Sequence, residues 1–243
     1  MPDLTRELPP SAAAARRQLH ALASKARAKT SVSFFKTGPG QYGEDDQFIG
    51  VTVPNIRKIA RGLRRLALDE TAKLLTSAVH EERLLALIVL SDQYAKGGEQ
   101  DRTLIYRLYL RRIKHVNNWD LVDSSAPHIV GAHLYERSRK PLYDLVQARL
   151  IWKRRIAIMA TLHFIRKGDF GDTLALAKTL LQDDQDLIHK ASGWMLREVG
   201  KRNLETLESF LDSYYPKMPR TMLRYAIERL PEARRKAYLR GTA

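Results

Sequence analysis

No cysteine occurs in the 243 residues. That excludes disulfides, Cys-ligated zinc, iron–sulfur clusters and any reaction that passes a group to a thiolate. Long apolar runs are also missing: the longest, residues 84–90, is far too short to span a bilayer. No stretch sustains a two-residue apolar–polar alternation, so strand is expected almost nowhere. Acids are scarce, with 27 Asp and Glu against 42 Lys and Arg, for a formal charge of 42 − 27 = +15. Such an excess works against the compact state by self-repulsion and points to a polyanionic partner. Nucleic acid is the first candidate and an anionic membrane surface a weaker second. The seven histidines are scattered, with neither an HExxH motif nor an HxD pair, so neither a metal nor a cofactor is expected. No GxSxG elbow points to a Ser/His/Asp triad.

What is present is helical. Residues 1–10 read as a flexible lead-in and 11–243 as a single repeat domain, in which 11–50 carry an N-terminal helix and a glycine-rich loop. Residues 11–29 read as one amphipathic helix, with Leu19 and Leu22 inward and Arg16, Arg17, Lys25 and Arg27 outward. Its Ala/Arg content superficially suits a transit peptide, but Asp3, Glu7 and the Pro9-Pro10 stop argue against one. A cytoplasmic, nucleoid-associated location follows as the default. Residues 30–50 break the pattern with Gly38, Pro39, Gly40, Gly43 and Gly50, interleaved with Phe34, Phe35, Tyr42 and Phe48. A loop of this kind is often functional, with Tyr42 or Lys36 placed to reach a ligand, or else is a loop pinned by its own aromatics. The GxxxxGK[ST] order of a phosphate-binding loop is absent. From Pro54 on, helical patterns begin near residues 70, 80, 100, 120, 141, 151, 169, 186, 204, 219 and 232.

These patterns hide a period. Arg83, Arg155, Lys190 and Arg224 each stand just ahead of small or aliphatic residues, with spacings of 155 − 83 = 72, 190 − 155 = 35 and 224 − 190 = 34. Halving the first gives 36 and a midpoint at residue 119. A period in the mid-thirties with two helices per unit is the signature of an all-α solenoid of antiparallel helix pairs, close to the HEAT range. Equivalent inner helices then line a concave basic groove, where one cation per repeat follows a row of phosphates. Taken singly, each of these cations is more simply a solvated charge.

The midpoint falls in Asn118-Trp119-Asp120-Leu121-Val122-Asp123-Ser124-Ser125-Ala126-Pro127. A helix here carries Trp119 and Asp123 on one face, a turn apart. The plain structural reading makes Trp119 a core anchor and one of Asp120, Asp123 or Ser124 a helix cap. The functional reading uses the pair as a seat for positive charge, since an indole face attracts a cation by up to about 2 kcal/mol when desolvated. Trp152 with Arg155, and Trp194 with Arg197, share helical faces in the next two repeats.

That segment, with Ile151-Trp152-Lys153-Arg154-Arg155-Ile156-Ala157 and Lys190-Ala191-Ser192-Gly193-Trp194-Met195-Leu196-Arg197-Glu198, resembles the three signature segments of the AlkD-like alkylpurine DNA glycosylases. Phe48 through Val51, with Pro54 and Arg57, is similar to that family's entry to its second helix. The glycine-rich residues 36–46 depart from the family's pattern. The resemblance implies a HEAT-like fold and hydrolysis of the N-glycosidic bond of cationic N3- and N7-alkylated purines in duplex DNA. It places Asp123 on the catalytic aspartate, Trp119 and Trp194 on the lesion-contacting tryptophans, and Arg155 on the arginine that holds the backbone. Lys190, Arg197, Arg83, Arg224 and Tyr42 are weaker DNA-binding candidates. The residues suit the chemistry. An alkylated purine is already a good leaving group, and a carboxylate stabilises the sugar as it turns positive. No lysine nucleophile is needed, so a monofunctional enzyme without a strand-cutting lyase step is expected; separately, the chain is expected to be a monomer. The alternatives are a non-catalytic HEAT-like binder of damaged or branched DNA, and a scaffold for acidic proteins.

Overall fold

A computed structural model of the chain describes residues 10–242. Apart from Pro10, the lead-in lies outside the described residues. The protein is all-α, and among the described residues the only strand-like feature is one parallel bridge between Gln47 and Val79. The chain divides into two compact units, one ending at Ser125 and one beginning at Ala126.

The first unit comprises α1 (Ala12–His20), α2 (Lys25–Phe34), α3 (Val53–Gly62), α4 (Leu68–Leu75), α5 (His80–Lys96), α6 (Glu99–Arg111) and α7 (Trp119–Asp123). Its core is α5, on which α3, α4, α6 and α7 all pack. The run from Leu84 to Leu90 is apolar on every side of the helix and buried throughout, as a central helix requires. The buried carboxylate of Glu81 accepts from the backbone N–H groups of Ile49, Gly50 and Val51, the shortest at 2.7 Å. Gly50 makes this possible with a φ of +76°, a conformation that favours glycine.

The single helix expected over residues 11–29 is two. α1 ends at His20, and Ser24 caps α2 while its own N–H donates to the Ile49 carbonyl at 2.8 Å. A serine with a long-range partner for its backbone breaks what periodicity alone joins. Leu22 is therefore exposed rather than inward, and α2 buries none of its residues. The break at residue 30 is also displaced, since α2 continues to Phe34.

The second unit opens with a π-helical turn, Pro127–Gly131, and continues with α8 (Ala132–Leu134), α9 (Lys140–Val146), α10 (Ile151–Ala160), α11 (Leu162–Arg166), α12 (Gly171–Thr179), α13 (Asp186–Gly200), α14 (Leu204–Tyr214), α15 (Arg220–Ala226) and α16 (Glu232–Arg240). Here α13 is central, packed against α10, α12, α14 and α15. Gly193 sets its closest approach: a Cβ there would collide with the Met222 carbonyl and the Tyr225 side chain of α15.

Candidate functional site

Helix α7 is a single turn that begins where Asn118 caps it, the side-chain oxygen accepting from the Trp119 N–H at 2.8 Å. Trp119 and Asp123 stand one turn apart on it, both half-buried. An isolated turn does not hold itself in water, because helix nucleation is unfavourable. What holds this one is a buried polar network that the sequence does not announce. The amide of Asn118 donates to Asp46 at 2.9 Å, and Asn117 donates to the same carboxylate at 3.4 Å. Asp46 ends the glycine-rich loop and also takes His80 Nδ1 at 3.1 Å and an ion pair with Arg83. The other nitrogen of His80 reaches Asp120 of α7 at 2.8 Å. At the far end of the turn, the Tyr109 hydroxyl pairs with Ser125 at 3.1 Å.

Aromatic rings back the same turn. Trp119 stacks on Phe35 with centroids 5.4 Å apart, and Phe35 stacks on Phe48 at 4.9 Å. His80 lies 4.6 Å from Phe48. Phe34, 61% exposed, meets Trp119 edge-on at 5.9 Å. Trp119 is thus neither a lone core anchor nor an isolated surface indole.

Burial works against charge on His80, but its hydrogen bonds to Asp120 and Asp46, and their negative charge, outweigh that, and its pKa is pushed up to about 9. Burial likewise opposes charge on Asp46, yet the His80 bond, the Arg83 guanidinium and the Asn118 amide hold its pKa below the usual carboxylate value. The charged and titratable groups facing His80 are Asp46 from the loop and Asp120 from α7, with Arg83 on its own helix sharing Asp46. The folded-state pKa of His80 lies above its ordinary 6.5, so its stabilisation is complete below that value and is lost as pH rises through about 9. The melting temperature is therefore expected to fall by roughly 3 °C or more between about pH 6.5 and about pH 9.5. His80→Gln, followed by circular dichroism, should remove that alkaline fall.

In the second unit, Arg155 on α10 is only 5% exposed and donates to the Leu187 carbonyl of α13. Trp152 is core. Trp194 is half-buried on α13 and donates from Nε1 to Glu198 at 3.2 Å. Lys190 pairs with Asp186 at 2.7 Å, Arg197 pairs with Glu228, and Arg224 is exposed on α15. Tyr42 is half-buried in the glycine-rich loop.

The cation row expected from the period is therefore not a row of equals. Arg83 is 3% exposed, paired with Asp46 and donating to the Ser77 and Ala78 carbonyls. It is a structural cation, and the physical reason is the buried carboxylate beside it, so it leaves the set of phosphate-binding candidates. The slot lies four residues past the start of its helix in α10 (155 − 151), α13 (190 − 186) and α15 (224 − 220), and three past it in α5 (83 − 80). In α7 the four-residue step leads to Asp123 rather than to Trp119. Asp123 thus stands at the step where α10, α13 and α15 carry a cation. Among the described residues, no group of three or more His, Asp or Glu side chains is placed to hold a metal ion.

Sequence reasoning misses Asp46 and His80, and it sees Asp120 only as a cap and Phe35 only as a loop aromatic. The contacts that join these residues to one another and to α7 span 34 to 84 residues along the chain, and no local pattern announces such pairs. The one signal was the loop itself, rich in glycine and aromatics.

Against known families, residues 15–230 match the model described as DNA alkylation repair enzyme. No curated protein matches the chain. Among solved structures, one titled "Predicted DNA alkylation repair enzyme from Enterococcus faecalis" aligns with a TM-score of 0.68 over 86% of this chain and 97% of that one. At 16% sequence identity, that similarity is one of fold.

Proposed function

Because the chain belongs to the DNA alkylation repair enzyme family, we propose that it is a monofunctional glycosylase that hydrolyses the N-glycosidic bond of cationic N3- and N7-alkylated purines in duplex DNA. The observation that carries this reading is the pairing of Trp119 and Asp123, one turn apart on a helix locked from beneath, in a chain of net charge +15. The substrate base is already cationic, so its departure needs no general acid. As the bond lengthens, positive charge moves to the sugar, and Asp123 stabilises that centre and orients the attacking water. Trp119 and Trp194 lend π surfaces that favour a charged nucleotide. Lys190, Arg197 and Arg224 serve as phosphate contacts and Tyr42 as a contact from the loop, while Arg155, 5% exposed, steadies the DNA backbone by giving up its bond to the Leu187 carbonyl. The scheme requires neither metal nor cofactor. We place the protein as a monomer in the cytoplasm, at the nucleoid; no helix among the described residues is long and apolar enough to cross a membrane.

A duplex carrying one 7-methylguanine tests the proposal. The expected result is an abasic site that becomes a strand break only after alkali. Breaks without alkali would mean a lyase step. Intact glycosidic bonds together with tight binding would mean a non-catalytic binder of damaged or branched DNA. Trp194→Ala is expected to reduce the preference for charged over neutral purines by about tenfold. An equal loss on every duplex would instead assign Trp194 to packing.

A further inference from the structure

We propose that Asp46 and His80 are positioning residues for Asp123, gripping α7 at two points so that its carboxylate is presented in one fixed register. The inference rests on the reading of Asp123 given above. Asp46 holds the start of the turn through the fully buried Asn118 amide. His80 holds the Asp120 carboxylate. Both grips come from outside the helix, one from the glycine-rich loop and one from the central helix α5. With 3.6 residues per turn, slippage of α7 by one residue would swing Asp123 by about 100°. Displacements of about 1 Å in a reacting group cost on the order of 10²-fold in rate. A network that only stabilised the fold would not need to meet at the one-turn helix that carries the candidate carboxylate. Here three of its members, Asn117, Asn118 and Asp120, lie within or directly before that helix. The glycine-rich loop thereby gains a role: it brings Asp46 under α7, and Phe35, just ahead of it, under Trp119.

The test is single-turnover base release and duplex affinity for Asp120→Ala, Asp120→Asn and His80→Gln. Asp120→Ala is expected to lose about 10–100-fold in rate with affinity changed less than about twofold. Asp120→Asn still offers an oxygen to His80 and should stay within about threefold of the unmodified rate. His80→Gln is expected to follow Asp120→Ala. Asp120 is only partly buried, so its variants decide the matter even where His80→Gln does not fold. An unmodified rate in folded Asp120→Ala, or rate and affinity falling in the same proportion, overturns the proposal. Should the unmodified chain release no base, the glycosylase reading falls, and positioning is then decided by hydrogen exchange at the Val122 and Ser124 amides. Exchange at least about tenfold faster in Asp120→Ala than in Asp120→Asn supports it; equal exchange overturns it.

Discussion

Base release by Asp123→Asn is expected to fall by about 10²–10³, with binding to duplex DNA retained. Asparagine fills the same volume on α7 and keeps one oxygen, so the half-buried position and the turn around it survive. What disappears is the full negative charge beside a sugar that becomes positive as the bond lengthens. Preorganised electrostatic partners of this kind matter most where charge develops during the reaction, which is why the loss should appear in the chemical step and not in affinity. Excision of 7-methylguanine at the unmodified rate by this variant would remove Asp123 from the mechanism. Loss of binding in step with rate would make it a structural residue.

A second large effect is set by the charge excess. If six to ten phosphates are neutralised, duplex affinity should fall by about 10³–10⁵ between about 50 and about 200 mM monovalent salt, because each contact releases condensed counterions. The candidates differ in how freely they contribute. Arg83 is committed to Asp46, so Arg83→Gln should leave the salt slope unchanged, whatever it does to stability. Arg224, exposed on α15, should lower the slope by about one when replaced by glutamine. A flat salt response would point instead to a partner recognised by shape or apolar contact.

Much of the helical order was legible before any coordinates. The starts expected near residues 80, 151, 186, 204 and 232 coincide with those of α5, α10, α13, α14 and α16. α13 and α14 are amphipathic, α5 holds an unbroken apolar run, and α16 begins just after Pro231; such signals are local. The segment expected as one helix over 11–29 failed because Ser24 is bonded to the Ile49 carbonyl, a partner 25 residues away. The pairing of Trp119 with Asp123 was readable from i, i+4 spacing. Its support is not: Asp46 is one of three consecutive acids, Glu44-Asp45-Asp46, and His80 is one of seven scattered histidines. The same blindness extends to Arg83, which keeps the spacing of the period yet sits beside a buried carboxylate. Period shows where a side chain lies along a helix, but not which charge the rest of the chain folds against it.

The glycine-rich loop also gains a physical explanation. Its backbone supplies turns, including Gly40 at φ +71°, and returns the chain so that Asp46 lies under α7. Phe35, at the entrance, stacks between Phe48 and Trp119. The segment that departs from the resembled enzymes is the one that anchors the candidate site.

The central claim, that this chain breaks the bond between an alkylated purine and its sugar, is met most directly by incubating the purified protein with methylated duplex DNA and identifying the released purines by mass spectrometry. Free 3-methyladenine and 7-methylguanine, appearing faster than from DNA alone and only slowly with Asp123→Asn, are the predicted result. Release no faster than spontaneous depurination, from a protein that nonetheless binds the duplex, would contradict it.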